Sequence, residues 1–326
     1  MNILITGCAG FIGFNLTNNL LQKKNKKKIN IFGIDNLNSY YDIKLKNKRL
    51  NLLKKNNNFV FYKLDISNSK KLFELVKIKK INIIIHLAAQ AGVRHSINHP
   101  EEYFKNNMTG FFNILESSRK NKIHHLIFAS TSSVYGDSKK FPLNEDFDTN
   151  HPLSFYAATK KSNEVMAYSY SNIYKLKCTG LRFFTVYGEY GRPDMSLYKF
   201  TKSIISNQHI NLFNKGNHIR DFTYIDDVVN MIGRVINKPS KKNVPYQIFN
   251  VCSQQPNKLI YFLNLIEKNI GKKAKILKKP LQKGDVYKTH GSIKKISKII
   301  NYKPRTSIED GIKNFVSWFR KYNKKL

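Results

Sequence analysis

The chain has 326 residues, enough for a large core and two lobes, and its 41% hydrophobic and 13% aromatic content excludes a disordered or fibrous protein. Its formal charge of +36 raises the question of a nucleic-acid partner. The lysines, however, fall in short scattered clusters ("KKNKKK" at 23–28, "KIKK" at 77–80, the terminal "KKL") with no zinc, helix-turn-helix or RNA-binding aromatic motif beside them, so solvated faces are expected and nucleic acid is not.

Read in chain order, the first half alternates short apolar runs with helical periods. "NILITG" (2–7) is the first strand, and "ITGCAGFIG" follows it with Gly7, Gly10 and Gly13 in GxxGxxG spacing. Glycines placed between a strand and a helix permit a tight turn and a close backbone approach to a pyrophosphate, which the helix N-terminus then attracts. Phe11 and Ile12 belong to the same turn. "INIFGID" (29–35) is the second strand, closed by Asp35 about 20 residues past the glycines, where a carboxylate binds both ribose hydroxyls of a dinucleotide. That carboxylate repels a 2′-phosphate, so NAD is expected over NADP, with Asn36 alongside.

"FVFYKLD" (59–65) ends at Asp65 and Ile66, and "INIIIHLAA" (81–89) runs into Leu87, Ala88, Ala89 and Gln90. Strand C-terminal ends of this kind border the ligand crevice of an open α/β sheet. "HHLIFAST" (124–131) emerges at the same edge with Thr131, Ser132 and Ser133. The two serines suit either an ordinary turn or substrate contact. About 25 residues on, "SFYAATKKSNE" places Tyr156 and Lys160 one turn apart on a helix. A phenol of pKa about 10 becomes a usable base only where positive charge stabilises its anion. Lys160 and an oxidised nicotinamide would supply that charge, with Thr131 aligning the reacting hydroxyl.

"CTGLRFF" (178–184) is the sixth strand, "GEYGRPD" (188–194) a loop, and "YQIFNV" (246–251) a strand that can return to the large sheet. Strands hydrophobic along their whole length are covered on both faces. The expected fold is therefore α/β: a Rossmann-type doubly wound parallel sheet with a smaller mixed α/β C-terminal substrate lobe. An NAD-binding domain over 1–185, rejoined by about 222–252, would precede a substrate lobe over 186–326. No apolar run approaches the roughly 18 residues of a membrane span. Cys8, Cys178 and Cys252 form no close pair and no leader precedes Asn2, so a reducing, cytoplasmic setting is expected, with no metal.

Together these residues resemble the extended short-chain dehydrogenase/reductase family, the NAD-dependent epimerases and dehydratases, and within it the UDP-glucuronate 4-epimerases. "GIDNLNSYYDIKLKNKRL" (33–50), "HLAAQAGVRHSI" (86–97), "SFYAATKKSNEVMA" (154–167), "LRFFTVYGEYGRPDMSLYKFTK" (181–202), "IRDFTYIDDVV" (219–229) and "KGDV" (283–286) carry the resemblance over nearly the whole chain. It implies NAD-dependent epimerisation of a UDP-sugar at C4 through a 4-keto sugar, with Thr131, Tyr156 and Lys160 as the catalytic trio. By the same resemblance Arg220 and Asp285 hold the diphosphate and the uridine ribose. Ser132, Ser133, Thr185 and Arg192 lie around the sugar carboxylate, although Arg192 can instead face the nucleotide. Arg94 fits a structural ion pair as well as a ligand contact.

Relatives that eliminate water carry an acidic pair where this chain has Ser132 and Ser133, which argues against dehydration. Gly291 and Ser292 stand where relatives show Ala-Asp, and Ser292 can still cap a helix. The resemblance further implies a homodimer pairing helices of the large lobe. A neutral UDP-sugar, glucose or N-acetylglucosamine, is the nearest alternative substrate, and a nucleic-acid-binding protein on the same scaffold is the alternative of another class.

Overall fold

The computed structural model describes residues 1–23 and 29–323; most of the lysine cluster at 23–28 and the terminal "KKL" lie outside them. In chain order the elements are β1 (Asn2–Thr6), α1 (Phe11–Gln22), β2 (Asn30–Asp35), α2 (Ile43–Leu53), β3 (Phe59–Lys63), α3 (Ser69–Ile78), β4 (Ile83–His86), α4 (His95–Asn98), α5 (Pro100–Tyr103) and, after a π-helical stretch Phe104–Thr109, α6 (Gly110–Lys120). Then come β5 (His125–Thr131), α7 (Phe155–Tyr174), β6 (Cys178–Phe183), β7 (Thr185–Tyr187), α8 (Ser196–Ile205), β8 (His209–Phe213), β9 (Ile219–Tyr224) and α9 (Ile225–Val235). The chain ends with β10 (Tyr246–Val251), β11 (Pro256–Lys258), α10 (Leu259–Ile270), β12 (Lys275–Lys279), α11 (Lys294–Ile300) and α12 (Ile308–Asn323).

Seven strands form one parallel sheet in the order β10-β6-β5-β4-β1-β2-β3. Every residue of β4 and of β6 is buried, as strands covered on both faces must be. The order reverses at β1, which pairs with β2 on one side and β4 on the other. Beyond the carboxyl ends of such a pair the connections diverge and leave a crevice. The smaller lobe holds a three-stranded sheet, β11-β9-β7, and a two-stranded one, β12-β8. "YQIFNV" is β10 and joins the large sheet beside β6. The preceding stretch expected to rejoin from about 222 instead begins in β9, which pairs with β7 and β11 in the small sheet.

One hydrophobic core runs through both lobes, from Ile3, Ile5 and Phe14 to Phe222, Phe262 and Phe315. Phe222 and Phe262 stack at 4.1 Å. The three cysteines are buried free thiols, and no helix among the described residues is long and apolar enough to cross a membrane.

The Gly291-Ser292 departure has a packing reason. A Cβ on Gly291 would stand 2.5 Å from Cys252 Sγ and 2.6 Å from the Phe184 ring. Ser292 Oγ accepts from Lys294 N at 3.4 Å ahead of α11. Gly291→Ala should therefore lower stability by about 1–3 kcal/mol, the usual range for overpacking, and adding Cys252→Ala should recover part of it; urea unfolding followed by circular dichroism measures both.

Candidate active site

The turn after β1 is built from backbone alone. Gly7 (φ +70°) donates its N–H to Ile34 O at 2.8 Å, and Gly10 donates to Gly7 O at 2.9 Å. Gly10 caps α1 without any side-chain acceptor, so the first N–H groups of the helix stay open to an anion. A Cβ on Gly13 would lie 2.1 Å from Gly7 O, and one on Gly7 would lie 2.8 Å from Ala88 N. The glycines thus let α1, the turn and the end of β4 close on one another.

Thr6, fully buried at the end of β1, fixes the neighbouring end of β4. Its Oγ1 accepts from Leu87 N at 3.2 Å and Ala88 N at 3.1 Å and meets His86 Nδ1 at 2.8 Å. Asp35 accepts from Ala9 N at 3.2 Å and Leu37 N at 2.9 Å, which fixes its carboxylate at the rim. Gln90 Nε2 is buried without a partner. An open helix N-terminus, a backbone cradle, a fixed carboxylate and an unsatisfied amide suit a dinucleotide.

These groups border one cleft of about 1340 Å³. Gly7, Gly10, Phe11, Ile12, Gly13, Asp35, Asn36, Ile66 and Leu87 to Gln90 line it, as do Thr131, Ser132, Ser133, Tyr156, Lys160, Thr185, Arg192, Arg220 and Asp285. Asp65 does not: its carboxylate accepts from Asn36 Nδ2 at 3.0 Å and Ser67 N at 2.8 Å, so it bears on the cleft through Asn36.

Ser154 Oγ accepts from Ala157 N at 3.2 Å and starts α7, which sets Tyr156 and Lys160 in its first turns. Burial pushes the Tyr156 phenol above its ordinary range, while a hydrogen bond with Thr131 and the Arg192 charge pull it back. Lys160, one helical turn along, borders the same cleft as Tyr156 and also bears on His86. Burial holds the Lys160 ammonium down to about 8 against the pull of Glu164. Glu164 is already engaged: it takes Arg182 Nε at 2.9 Å and Nη2 at 2.8 Å, and Ser130 Oγ at 2.5 Å.

On the substrate side, Arg192 meets Asp194 through Nε at 3.0 Å and Nη2 at 2.5 Å, and lies 5.6 Å from the centre of the Tyr40 ring. Arg220 donates to Ile219 O at 3.0 Å, Tyr287 O at 2.9 Å and Val286 O at 2.7 Å. Asp285 pairs with Arg94 at 2.8 Å, so Arg94 does form the ion pair that the sequence left open, and with a cleft residue.

Several positioning residues escaped the sequence reading. Ser96 Oγ accepts from Tyr156 N at 3.2 Å, and the Tyr103 ring stands edge-on to Tyr156 at 6.0 Å. Asn107, in the π-helical stretch, accepts from Gln90 N at 2.8 Å and donates to Gln90 O at 3.0 Å. Arg49, fully buried, donates to Ala9 O at 2.7 Å and Tyr190 O at 2.5 Å. Their partners lie far off in sequence, and none of them gave a local signal.

A dinucleotide turn and a part-buried phenol beside a hydroxyl, meeting in one cleft, define an enzyme that works on an alcohol or ketone with a nicotinamide cofactor. Residues 3–252 match the NAD dependent epimerase/dehydratase family, and the chain belongs to it. It is 49% identical to an uncharacterized protein of Methanocaldococcus jannaschii, over 98% of this chain and 96% of that one. It is 42% identical to a UDP-glucuronate 4-epimerase of Thermodesulfobacterium geofontis, over 97% and 95%. Among solved structures it is similar to the UDP-glucuronic acid 4-epimerase of Bacillus cereus in complex with UDP-glucuronic acid and NAD, with a TM-score of 0.92 and 32% identity over 99% of this chain and 100% of that one. The chain is an enzyme of the nucleotide-sugar 4-epimerase group, and its cofactor is NAD.

Lys160 is 2% exposed, and a lysine held down to about 8 against about 10.4 when unfolded costs on the order of 3 kcal/mol while both states are protonated. That cost is complete below pH 8, shrinks as only the unfolded state keeps its proton, and is gone above about pH 10.5. Lys160→Met should therefore raise the melting temperature of the cofactor-free protein at pH 7, with the gain vanishing by about pH 10.5, while abolishing turnover; calorimetry across this range measures it.

Proposed function

We propose that this enzyme interconverts UDP-glucuronate and UDP-galacturonate. The observation that carries the substrate is the wall around Tyr156: Ser132, Ser133 and Thr185 offer neutral donors and Arg192 a guanidinium in the same cleft. A guanidinium binds a carboxylate through two parallel hydrogen bonds, and the sugar carboxylate would take that place on Arg192 in exchange for Asp194, which holds Nε and Nη2. The likeness to a B. cereus enzyme with UDP-glucuronic acid bound supports the same reading.

NAD, when bound, supplies the oxidising and reducing equivalents at C4 of the sugar. The chain's own residues do the rest. Tyr156 Oη takes the proton of the C4 hydroxyl and returns it at the end of the cycle, while Thr131 Oγ1 aligns that hydroxyl. Lys160 holds a positive charge in the cleft wall, and its ammonium is a donor suited to the nicotinamide ribose. Gly7 to Gly13 and Asp35 seat the pyrophosphate and the adenosine ribose. Arg220 and Asp285 take the UDP portion, with Asp285 exchanging Arg94 for the uridine ribose. No carboxylate stands at 132 or 133 to eliminate water, so the cycle closes on the epimer. Pairing of two chains through α6 and α7 belongs to the same reading, because Phe112, Val165, Tyr168 and Ile173 expose apolar side chains there.

Incubation with UDP-glucuronate, UDP-glucose or UDP-N-acetylglucosamine, followed by proton NMR of C4 configuration, should show turnover of the uronate first; preferential turnover of a neutral sugar would reject the substrate. Tyr156→Phe should keep NAD and lose turnover by roughly 10²–10⁴-fold, the range of a lost general base. Arg192→Met should weaken kcat/KM for the uronate by about tenfold or more, as the loss of a charged hydrogen bond of about 1.5–3 kcal/mol predicts, with a smaller loss for a neutral sugar, which feels only the missing charge beside Tyr156.

A further inference from the structure

His95, His99 and Glu102 lie on the lip of the cleft and have no part in the chemistry above. His95 lines the cleft, and His99 and Glu102 do not. His95 Nε2 and Glu102 Oε2 are 3.0 Å apart, and one ligand atom from each of the three residues lies within 4.8 Å of the others. We infer that these three side chains bind a divalent transition-metal ion of the Zn²⁺ class.

The local fold explains how they converge. His99 precedes Pro100, which bars it from the helical region, and its backbone (φ −134°, ψ 55°) separates α4 from α5. The break lays the His99 imidazole on His95, ring centres 4.3 Å apart and planes inclined by 28°. The first turn of α5 then brings Glu102 back beneath them. Two imidazoles and one carboxylate match the donor set of zinc and its neighbours and do not match the all-oxygen preference of Mg²⁺ or Ca²⁺.

Bond lengths of about 2.0–2.2 Å in a tetrahedron place donor atoms about 3.3–3.6 Å apart. The His95–Glu102 separation is close to this, and the half-exposed His99 ring can close its own gap by rotating. Metal-bound imidazoles generally carry an acceptor on their other nitrogen. Glu101 stands near, its Oε1 3.8 Å from His99 Nδ1 and beyond hydrogen-bond length, within reach of a small rotation of the ring. The remaining coordination positions open to solvent. The ring that would be fixed is also a wall of the cleft: His95 packs edge-on against Tyr40 at 5.0 Å.

Zn²⁺ titration of the untagged holoenzyme by calorimetry, with Co²⁺ absorption as a coordination probe, tests the site. One ion per chain should bind with imidazole-carboxylate cobalt bands. Because loss of even an outer partner of a metal costs 10–100-fold, His99→Gln and Glu102→Gln should each weaken binding by about tenfold or more. Both variants should turn over normally without metal. Absence of saturable binding, or binding unchanged in both variants, overturns the site and leaves His95 and Glu102 as an ordinary hydrogen-bonded pair.

Discussion

Desolvation of the Lys160 ammonium is the constraint around which this cleft is arranged. A charge taken out of water needs a counter-charge or a ligand. The nearest carboxylate, Glu164, lies one helical turn further along α7 and is committed on both oxygens to Arg182 and Ser130. The buried face of α7 is polar through its middle, at Thr159, Lys160, Asn163 and Glu164, with the small residues Ala157 before and Ala167 and Ser171 after. Because Glu164 and Arg182 are both almost fully buried, removing either would strand the other. The pair ties α7 to β6, and Ser130 adds β5, so the helix that carries Tyr156 and Lys160 is tied to the strand that carries Thr131.

A second brace joins the cofactor turn to the substrate loop. Arg49 reaches from α2 to the carbonyls of Ala9, inside the glycine turn, and of Tyr190, two residues before Arg192. Tyr190 in turn packs against Phe14 of α1 at 4.7 Å and Trp318 of α12 at 4.9 Å. Elements separated by most of the chain therefore fix where the dinucleotide turn and the guanidinium sit relative to each other. Opposite them, Thr6 and Asn107 hold the Leu87–Gln90 edge from two sides. The cleft is assembled by such buried polar ties as much as by the sheet.

What could be read in the sequence divides along physical lines. The strands of the large sheet were visible because burial on both faces leaves continuous runs such as "IIIH" and "CTGLRF", and the glycine turn because its spacing answers to a phosphate. Tyr156, Lys160 and Thr131 could be named because each follows an element whose end is predictable. Arg49, Ser96, Asn107 and the Glu164–Arg182 pair could not, since their partners lie far off in sequence and nothing local marks them. One expectation was too simple: Asp65 does not line the cleft itself but holds Asn36, which does. Arg192 adds a charge on the Tyr156 phenol that helical spacing could not point to. Helical spacing gives the direction of a side chain but not what burial does to it.

The account rests on one chemical event: the hydrogen on C4 leaves and comes back to the other face while Tyr156 handles only the hydroxyl proton. UDP-glucuronate labelled with deuterium at C4, converted in ordinary water and read by mass spectrometry and NMR, isolates that event. Deuterium kept at C4 of the galacturonate product is the predicted result. Loss of the label to solvent would mean that C4 exchanges as a proton, and would contradict the mechanism at its centre.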